Sequence, residues 1–334
     1  MRVAVDAMGG DFAPRSVVEG AVAAAREAGV ALLLVGARDD IARELSRLPD
    51  ADTLDISIVD APEVVGMHEP PTRVLRGKRG ASVRVAAEAV ARGDAGALFS
   101  AGHTGASVLA SLSAFGLLPG VDRPALAATI PALGGVAILL DAGANLECRP
   151  QHLLQFAVLG AGYARAALGL SDPRVGLLST GEEETKGNEL TRDAHQVLKG
   201  SSLNFVGNVE ARDLFAGQAD VIVCDGFTGN IALKVSEGML EAAEHVLADE
   251  AARPAGTRVS ALLWQQARRR FRQRLEHAEH GAAPRLGVGG LCLVGHGRST
   301  AGAVRSGVLL AHRLAGDRLH SRLADDVISA LARR

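Results

Sequence analysis

Three polar residues of this chain stand in glycine-flanked turns, where a small anion or a carbonyl can come close to the backbone. Lys186 lies in Thr180-Gly181-Glu182-Glu183-Glu184-Thr185-Lys186-Gly187-Asn188-Glu189. A lysine there offers phosphate a movable cation, and the three glutamates can hold it or order the loop; a solvated surface loop is the plain alternative. His103, in Ser100-Ala101-Gly102-His103-Thr104-Gly105, can donate to an oxyanion, act as acid or base, or bond only to local backbone. Asn230 closes Asp225-Gly226-Phe227-Thr228-Gly229-Asn230, where its amide can polarise a carbonyl oxygen or cap the following helix.

The elements that must position these residues read as strand–turn–helix units. Five apolar runs end in Gly-rich turns: Val3–Val5 before Asp6-Ala7-Met8-Gly9-Gly10-Asp11, Ala97–Phe99 before the His103 turn, Val136–Leu140 before Asp141-Ala142-Gly143-Ala144-Asn145, Val175–Leu178 before the Lys186 loop, and Val221–Cys224 before the Asn230 turn. His296, after Leu291–Val294, sits in a sixth. In an open parallel sheet such turns gather at the carboxyl edge of the strands, where ligands bind. Glycines there let N–H groups approach an anion, and the next helix adds its positive dipole end. Asp6 with Asp11, and Asp141 with Asn145, could hold a cation or only cap helices; no clear ligand set emerges, so no metal and no cofactor is expected.

The first third alternates strand and helix. Helices are expected over 14–28, stopped by Gly29, then over 39–48, 82–92 and 105–115, with strands over 31–35, 56–59 and 95–99. This order implies a parallel α/β sheet. Residues 126–140 read as a hairpin, and helices follow over 151–168, 188–199 and 231–250. Gly160-Ala161-Gly162 lies inside a helix and lacks a third glycine, so it is no dinucleotide fingerprint. No Gly-x-Ser-x-Gly elbow supports serine hydrolysis.

Composition narrows the classes. The 334 residues suffice for one large or two medium domains, and an apolar share of 48% excludes wholesale disorder. Aromatics at 3% and a net charge of -2 argue against a nucleic-acid partner. Three scattered cysteines fit a reduced cytosolic setting, and Cys224 and Cys292 in apolar runs read as buried, inert thiols. No leader segment and no spanning helix are expected. Residues 251–283 differ: an apolar stripe that includes Leu263 and Phe271, with Trp264 beside it, accompanies Arg268, Arg269, Arg270, Arg272 and Arg274. Such a helix can lie on an anionic bilayer or pack on a partner subunit with a solvated arginine face.

Taken in order, Asp6–Asp11, Ser100–Gly105, Leu140–Asn145, Glu184–Asn188 and Asp225–Asn230 resemble the phosphate acyltransferases (acyl-ACP:phosphate transacylases) of bacterial phospholipid synthesis, over residues 1 to about 307. The resemblance implies a three-layer α/β/α sandwich like the isopropylmalate dehydrogenases and phosphotransacetylases, as one two-lobed catalytic domain over 1–334 in a homodimer. It implies transfer of a long acyl chain from acyl carrier protein to inorganic phosphate, giving acyl phosphate for glycerol-3-phosphate acylation. The runner-up is a short-chain phosphotransacetylase using acetyl-CoA. Lys186 and Asn230 match the catalytic turns, with His103 as helper; phosphate would sit in the crevice of the turns and attack the thioester directly. Asp6, Gly9, Gly10, Ser100, Gly102, Thr104, Gly105, Asp141, Asn145, Asn188, Asp225, Thr228, Gly229 and His296 are the expected binding residues. The family's hairpin after the Asn230 helix is thought to touch the membrane, which points to Leu263, Trp264 and Phe271 at 251–283 and to a cytoplasmic protein peripheral to the inner membrane face. A membrane glycerol-3-phosphate acyltransferase is the implied downstream partner. Arg285, Gly289 and Arg298 depart from the family pattern.

Overall fold

A computed structural model describes residues 1–252 and 282–332. Leu263, Trp264, Phe271 and the arginine cluster between them lie outside the described residues. The chain forms two compact units, one from residues 1–127, 158–173 and 282 onward, the other from 128–157 and 174–252.

In the first unit, β1 (Val3–Asp6), β2 (Leu32–Gly36), β3 (Ile56–Asp60), β4 (Ala97–Ser100) and β11 (Cys292–Val294) run parallel in the order β3-β2-β1-β4-β11. β10 (Ala283–Leu286) pairs antiparallel with β11 and with the start of β5 (Ala125–Ala132). The central strands are buried along their whole length, as a sheet covered on both faces requires. Alternation divides their side chains. Ala4, Leu33, Val35, Leu98 and Cys292 pack with α4 (Ser82–Ala91) and α5 (Thr104–Phe115). On the other face Phe99 meets Gly307 of α9 (Ala301–Gly316), where a Cβ would lie 2.3 Å from Phe99 Cε2. α1 (Arg15–Ala28) packs on α9 through Gly20, whose missing Cβ would lie 2.4 Å from Ala301 O. Gly29 ends α1 in the left-handed region at φ 63°, as expected, and Ala28 before it is exposed. α2 (Arg38–Leu45), α3 (Arg73–Arg76) and α10 (Leu319–Ala332) complete the unit.

In the second unit the parallel strands are β6 (Gly135–Leu140), β9 (Val221–Val223), β7 (Val175–Leu178) and β8 (Phe205–Val209), in that order. β5 and β6 are neighbours, as the hairpin reading expected. α6 (Pro150–Leu168) begins in this unit and ends in the first, with the Gly160-Ala161-Gly162 triplet in its interior. α7 (Glu189–Lys199) buries Ala194, His195 and Leu198. α8 (Gly226–Ala252) starts five residues before the expected Ile231, so Phe227 to Asn230 lie inside the helix. Its Ala232 and Leu233 pack on Ile130, Leu139, Leu178 and Ile222. No helix among the described residues is long and apolar enough to cross a membrane.

Candidate active site

Strand register gathers the six turns into two groups of three. In the first unit Asp6 aligns with Ser100, and Ser100 with Val294, so the turns after β1, β4 and β11 leave one edge together. In the second, Leu140 aligns with Val223, and Leu177 with the same residue, so the turns after β6, β9 and β7 do likewise. A cavity of about 300 Å³ lined by Met1, Arg2, Gly96 and Leu291 lies at the opposite, amino ends of β1, β4 and β11 and holds none of the candidate residues.

The first group is organised by Asp6, which is buried. Its carboxylate accepts from Ser82 Oγ (2.6 Å), Ser100 Oγ (2.7 Å) and the Met8 N–H (3.3 Å). Burial outweighs these bonds and pushes its pKa up. A Cβ on Gly9 would stand 2.6 Å from Asp6 Oδ2 and 2.7 Å from Gly102 N, so only glycine lets the first two turns interlock. Gly10, at φ 108°, lies against Ala101 O and Gly297 O, and the Asp11 N–H donates to Gly297 O (2.7 Å). Ser100 also accepts from Gly102 N–H and Ser107 Oγ–H, which commits it to the scaffold.

His103 is the N-cap of α5: its Nδ1 accepts the Ala106 N–H at 3.4 Å. That leaves Nε2 as the protonated nitrogen of the neutral ring. Thr104 and Gly105 occupy the first turn of α5, where N–H groups have no intrahelical acceptor. His296 is exposed, and its Nδ1 accepts from Arg298 N–H (3.2 Å).

In the second unit Asp141, fully buried, is the staple. It accepts from the N–H groups of Gly143 (3.2 Å), Ala144 (3.0 Å) and Asn145 (2.7 Å) and from Asn145 Nδ2 (2.8 Å). The Gly226 N–H donates to Asn145 O, and Cβ atoms on Gly226 or Gly229 would collide with Asn145 and Asp141 backbone. These contacts draw the start of α8 onto the β6 turn. Asp225 caps α8, accepting from the Thr228 N–H (2.9 Å) and Thr228 Oγ (2.8 Å). The expected alternative of Asn230 as the cap is therefore corrected. Asn230 is exposed, its side chain rests 3.3 Å from the position of a Gly143 Cβ, and its amide has no hydrogen-bond partner among the described residues.

The Lys186 loop is ordered from beneath. Asn208 Nδ2 donates to Glu183 O (2.9 Å), and Asn208 Oδ1 accepts from buried His195 Nδ1 (2.9 Å). Glu184 pairs with Lys199 at 2.6 Å, and the Lys199 ammonium holds its carboxyl below the usual range. Glu182 faces Arg212 at 3.8 Å. The glutamates order the loop rather than hold Lys186, which is exposed and without an ion pair among the described residues. Beside it Gly187, at φ 93°, approaches Thr191 and Ser179, whose buried Oγ has no partner among the described residues. Asn188 caps α7, accepting from the Thr191 N–H.

Ser82, Ser107, His195 and Asn208 escaped sequence reasoning because the partner that gives each its role lies on another element; Ser179 opens the Lys186 loop. The cysteine reading holds: Cys224 and Cys292 are buried, and burial pushes Cys292 up to about 11 and Cys224 well above its usual value. Of the departures, Arg285 is buried in β10, Gly289 is required where a Cβ would lie 2.6 Å from Phe115 O, and Arg298 is exposed. Among the described residues no His, Cys, Asp and Glu cluster has metal-binding geometry.

The fold is similar to that of a phosphotransacetylase from Streptococcus pyogenes (TM-score 0.66, 17% identity, covering 95% of this chain and 94% of that one). A branched-chain phosphotransacylase from Enterococcus faecalis is comparable (TM-score 0.60, 14% identity, 94% and 99%). A putative 4-hydroxythreonine-4-phosphate dehydrogenase from Salmonella typhimurium scores 0.54 at 13% identity, over 94% and 99%. These likenesses establish the α/β/α fold. A sequence profile described as "Fatty acid synthesis protein" matches residues 1–322. The phosphate acyltransferase of Pelotomaculum thermopropionicum is 45% identical over 99% of this chain and 95% of its own length. That of Nitratidesulfovibrio vulgaris is 46% identical over 97% and 94%. With such identity across almost its whole length, the chain belongs to the phosphate acyltransferase family.

Proposed function

We propose that the chain transfers a long-chain acyl group from acyl carrier protein to inorganic phosphate, the acyl phosphate then serving glycerol-3-phosphate acylation by a membrane enzyme. The observation that carries this reading is the pair of uncommitted groups on the second unit: a lysine with no ion pair and an asparagine amide with no partner among the described residues, each beside a Gly-rich turn at the carboxyl edge of parallel strands. Lys186 steadies phosphate as a mobile cation. A phosphate oxygen attacks the thioester carbonyl, forming the C–O bond; the C–S bond then breaks and the thiol leaves with the proton that phosphate gives up. Charge gathers on the carbonyl oxygen in between, and the Asn230 amide donates to it. His103, on the first unit, presents its Nε2–H as a donor beside its own Gly-rich turn. Gly9, Gly10, Gly102, Thr104, Gly105, Asn145, Asn188, Thr228, Gly229 and His296 line or shape the turns that admit substrate. Phosphate is itself a competent nucleophile, so orientation rather than a covalent enzyme intermediate supplies most of the rate.

The same reading extends to one catalytic domain over 1–334, to a homodimer, and to peripheral attachment through 251–283 at the anionic inner membrane face. The test is Lys186→Ala. Turnover should fall at least about a hundredfold while the unfolding midpoint stays put, because Lys186 is exposed. Near wild-type turnover removes Lys186 from the mechanism.

A further inference from the structure

The segment between β3 and α4 is an island of positive charge in a chain of net charge -2. From Glu63 to Arg84, five basic residues stand against two acidic ones. Both acids are engaged locally. Glu63 accepts the Gly80 N–H (2.7 Å), and Glu69 accepts from Lys78 Nζ (2.6 Å) and the Gly66 N–H (3.2 Å). The Lys78 bond and that N–H hold the Glu69 carboxyl below its usual range. Lys78 also donates to Val64 O, so its charge serves to close the loop. Arg84 is taken by Glu88 (2.8 Å) and by the carbonyls of Val74 and Leu75.

Three guanidinium groups remain. Arg73, Arg76 and Arg79 are exposed and form no ion pair among the described residues. Arg73 and Arg76, three apart on α3, are neighbours on its surface, and like charges so placed repel. Arg73 adds a longer-range attraction to Glu69, and neither Arg76 nor Arg79 has an ion-pair partner among the described residues. Their position is specific: α3 packs on α5, and a Cβ at Gly105 would lie 3.0 Å from Pro71 Cβ, so the patch borders the turn that carries His103.

We propose that Arg73, Arg76 and Arg79 are the docking surface for the acidic protein that carries the acyl group. The inference rests on the reading that the acyl donor is a carrier-bound thioester. A small anion is held by convergent, part-buried donors. Here the guanidinium groups are exposed and follow one another along the chain, which suits a row of surface carboxylates. A concentrated positive patch steers an oppositely charged protein toward the adjoining turns.

The test is binding of purified acyl carrier protein lacking its phosphopantetheine arm to the full-length enzyme, by fluorescence anisotropy at low and high salt. Wild type should bind, and more weakly as salt rises. The triple variant R73E/R76E/R79E should bind at least about tenfold more weakly, and R73K/R76K/R79K should keep most of the affinity. This carrier cannot be turned over, so the readout stands apart from acyl transfer: lost transfer with arginine-dependent binding would sink the transferase reading and leave the surface. No binding by wild type, or equal binding by the glutamate variant, overturns the proposal. Loss of binding to phosphatidylglycerol vesicles with carrier binding intact would assign the patch to lipid, and overturns it as well.

Discussion

Asn230→Ala removes an exposed amide that has no hydrogen-bond partner among the described residues and lies beside Gly143. Folding should scarcely register the change. Asn230 lies in the first turns of α8, where alanine is the better helix former by roughly 0.6 kcal/mol, offset by a few tenths of lost contact. The net effect is within about 0.5 kcal/mol, or one to two degrees in melting temperature. Turnover should respond very differently. Removing one well-placed oxyanion donor costs about 2.7–4 kcal/mol of transition-state stabilisation, a drop of roughly 10²- to 10³-fold in kcat. The assay follows free thiol released from an acyl-carrier thioester at saturating phosphate, alongside thermal unfolding of the same preparation. A kcat within about threefold of wild type at unchanged melting temperature would refute the donor role. A melting temperature lowered in step with activity would refute the view that the Asn230 side chain is structurally idle.

Asp141→Ala should act the opposite way: four donors lose one buried carboxylate, so urea unfolding should show a loss of about 4 kcal/mol or more, and a loss under about 1 kcal/mol would contradict the staple role. Asp6 predicts a pH dependence. Its pKa is raised in the folded chain, so its stabilising contribution is complete below the usual carboxylate value of 3.8 and is lost as pH rises through the folded value. Wild type minus Asp6→Asn in unfolding free energy should therefore decline as pH rises from 4, measured by urea titrations at several pH values; a difference that grows with pH would reverse the assignment.

The strand–turn–helix units were legible because buried parallel strands are continuous apolar runs and the turns after them need glycine. What stayed hidden is long-range. α8 was expected to begin at Ile231, with Asn230 as a cap; the missing Cβ atoms of Gly226 and Gly229 let the helix start earlier and close on Asp141 and Asn145, so packing overrides the poor helix propensity of glycine. Asp141 and Asn145 read as a cation site or as helix caps, and the four bonds to one carboxylate follow only from the folded turn. His195 and Asn208 hold the Lys186 loop from separate elements, and neither has a local pattern to mark it. Segment 61–81 carries no periodicity, so its arginines drew no notice until exposure and missing partners set them apart.

The most direct test of the central claim is release of carrier thiol from palmitoyl-carrier thioester with and without inorganic phosphate, trapping the product with hydroxylamine. The account predicts release only with phosphate, one palmitoyl hydroxamate per thiol, and little activity on acetyl-CoA. Phosphate-independent release, or faster turnover of acetyl-CoA than of the palmitoyl thioester, would contradict it.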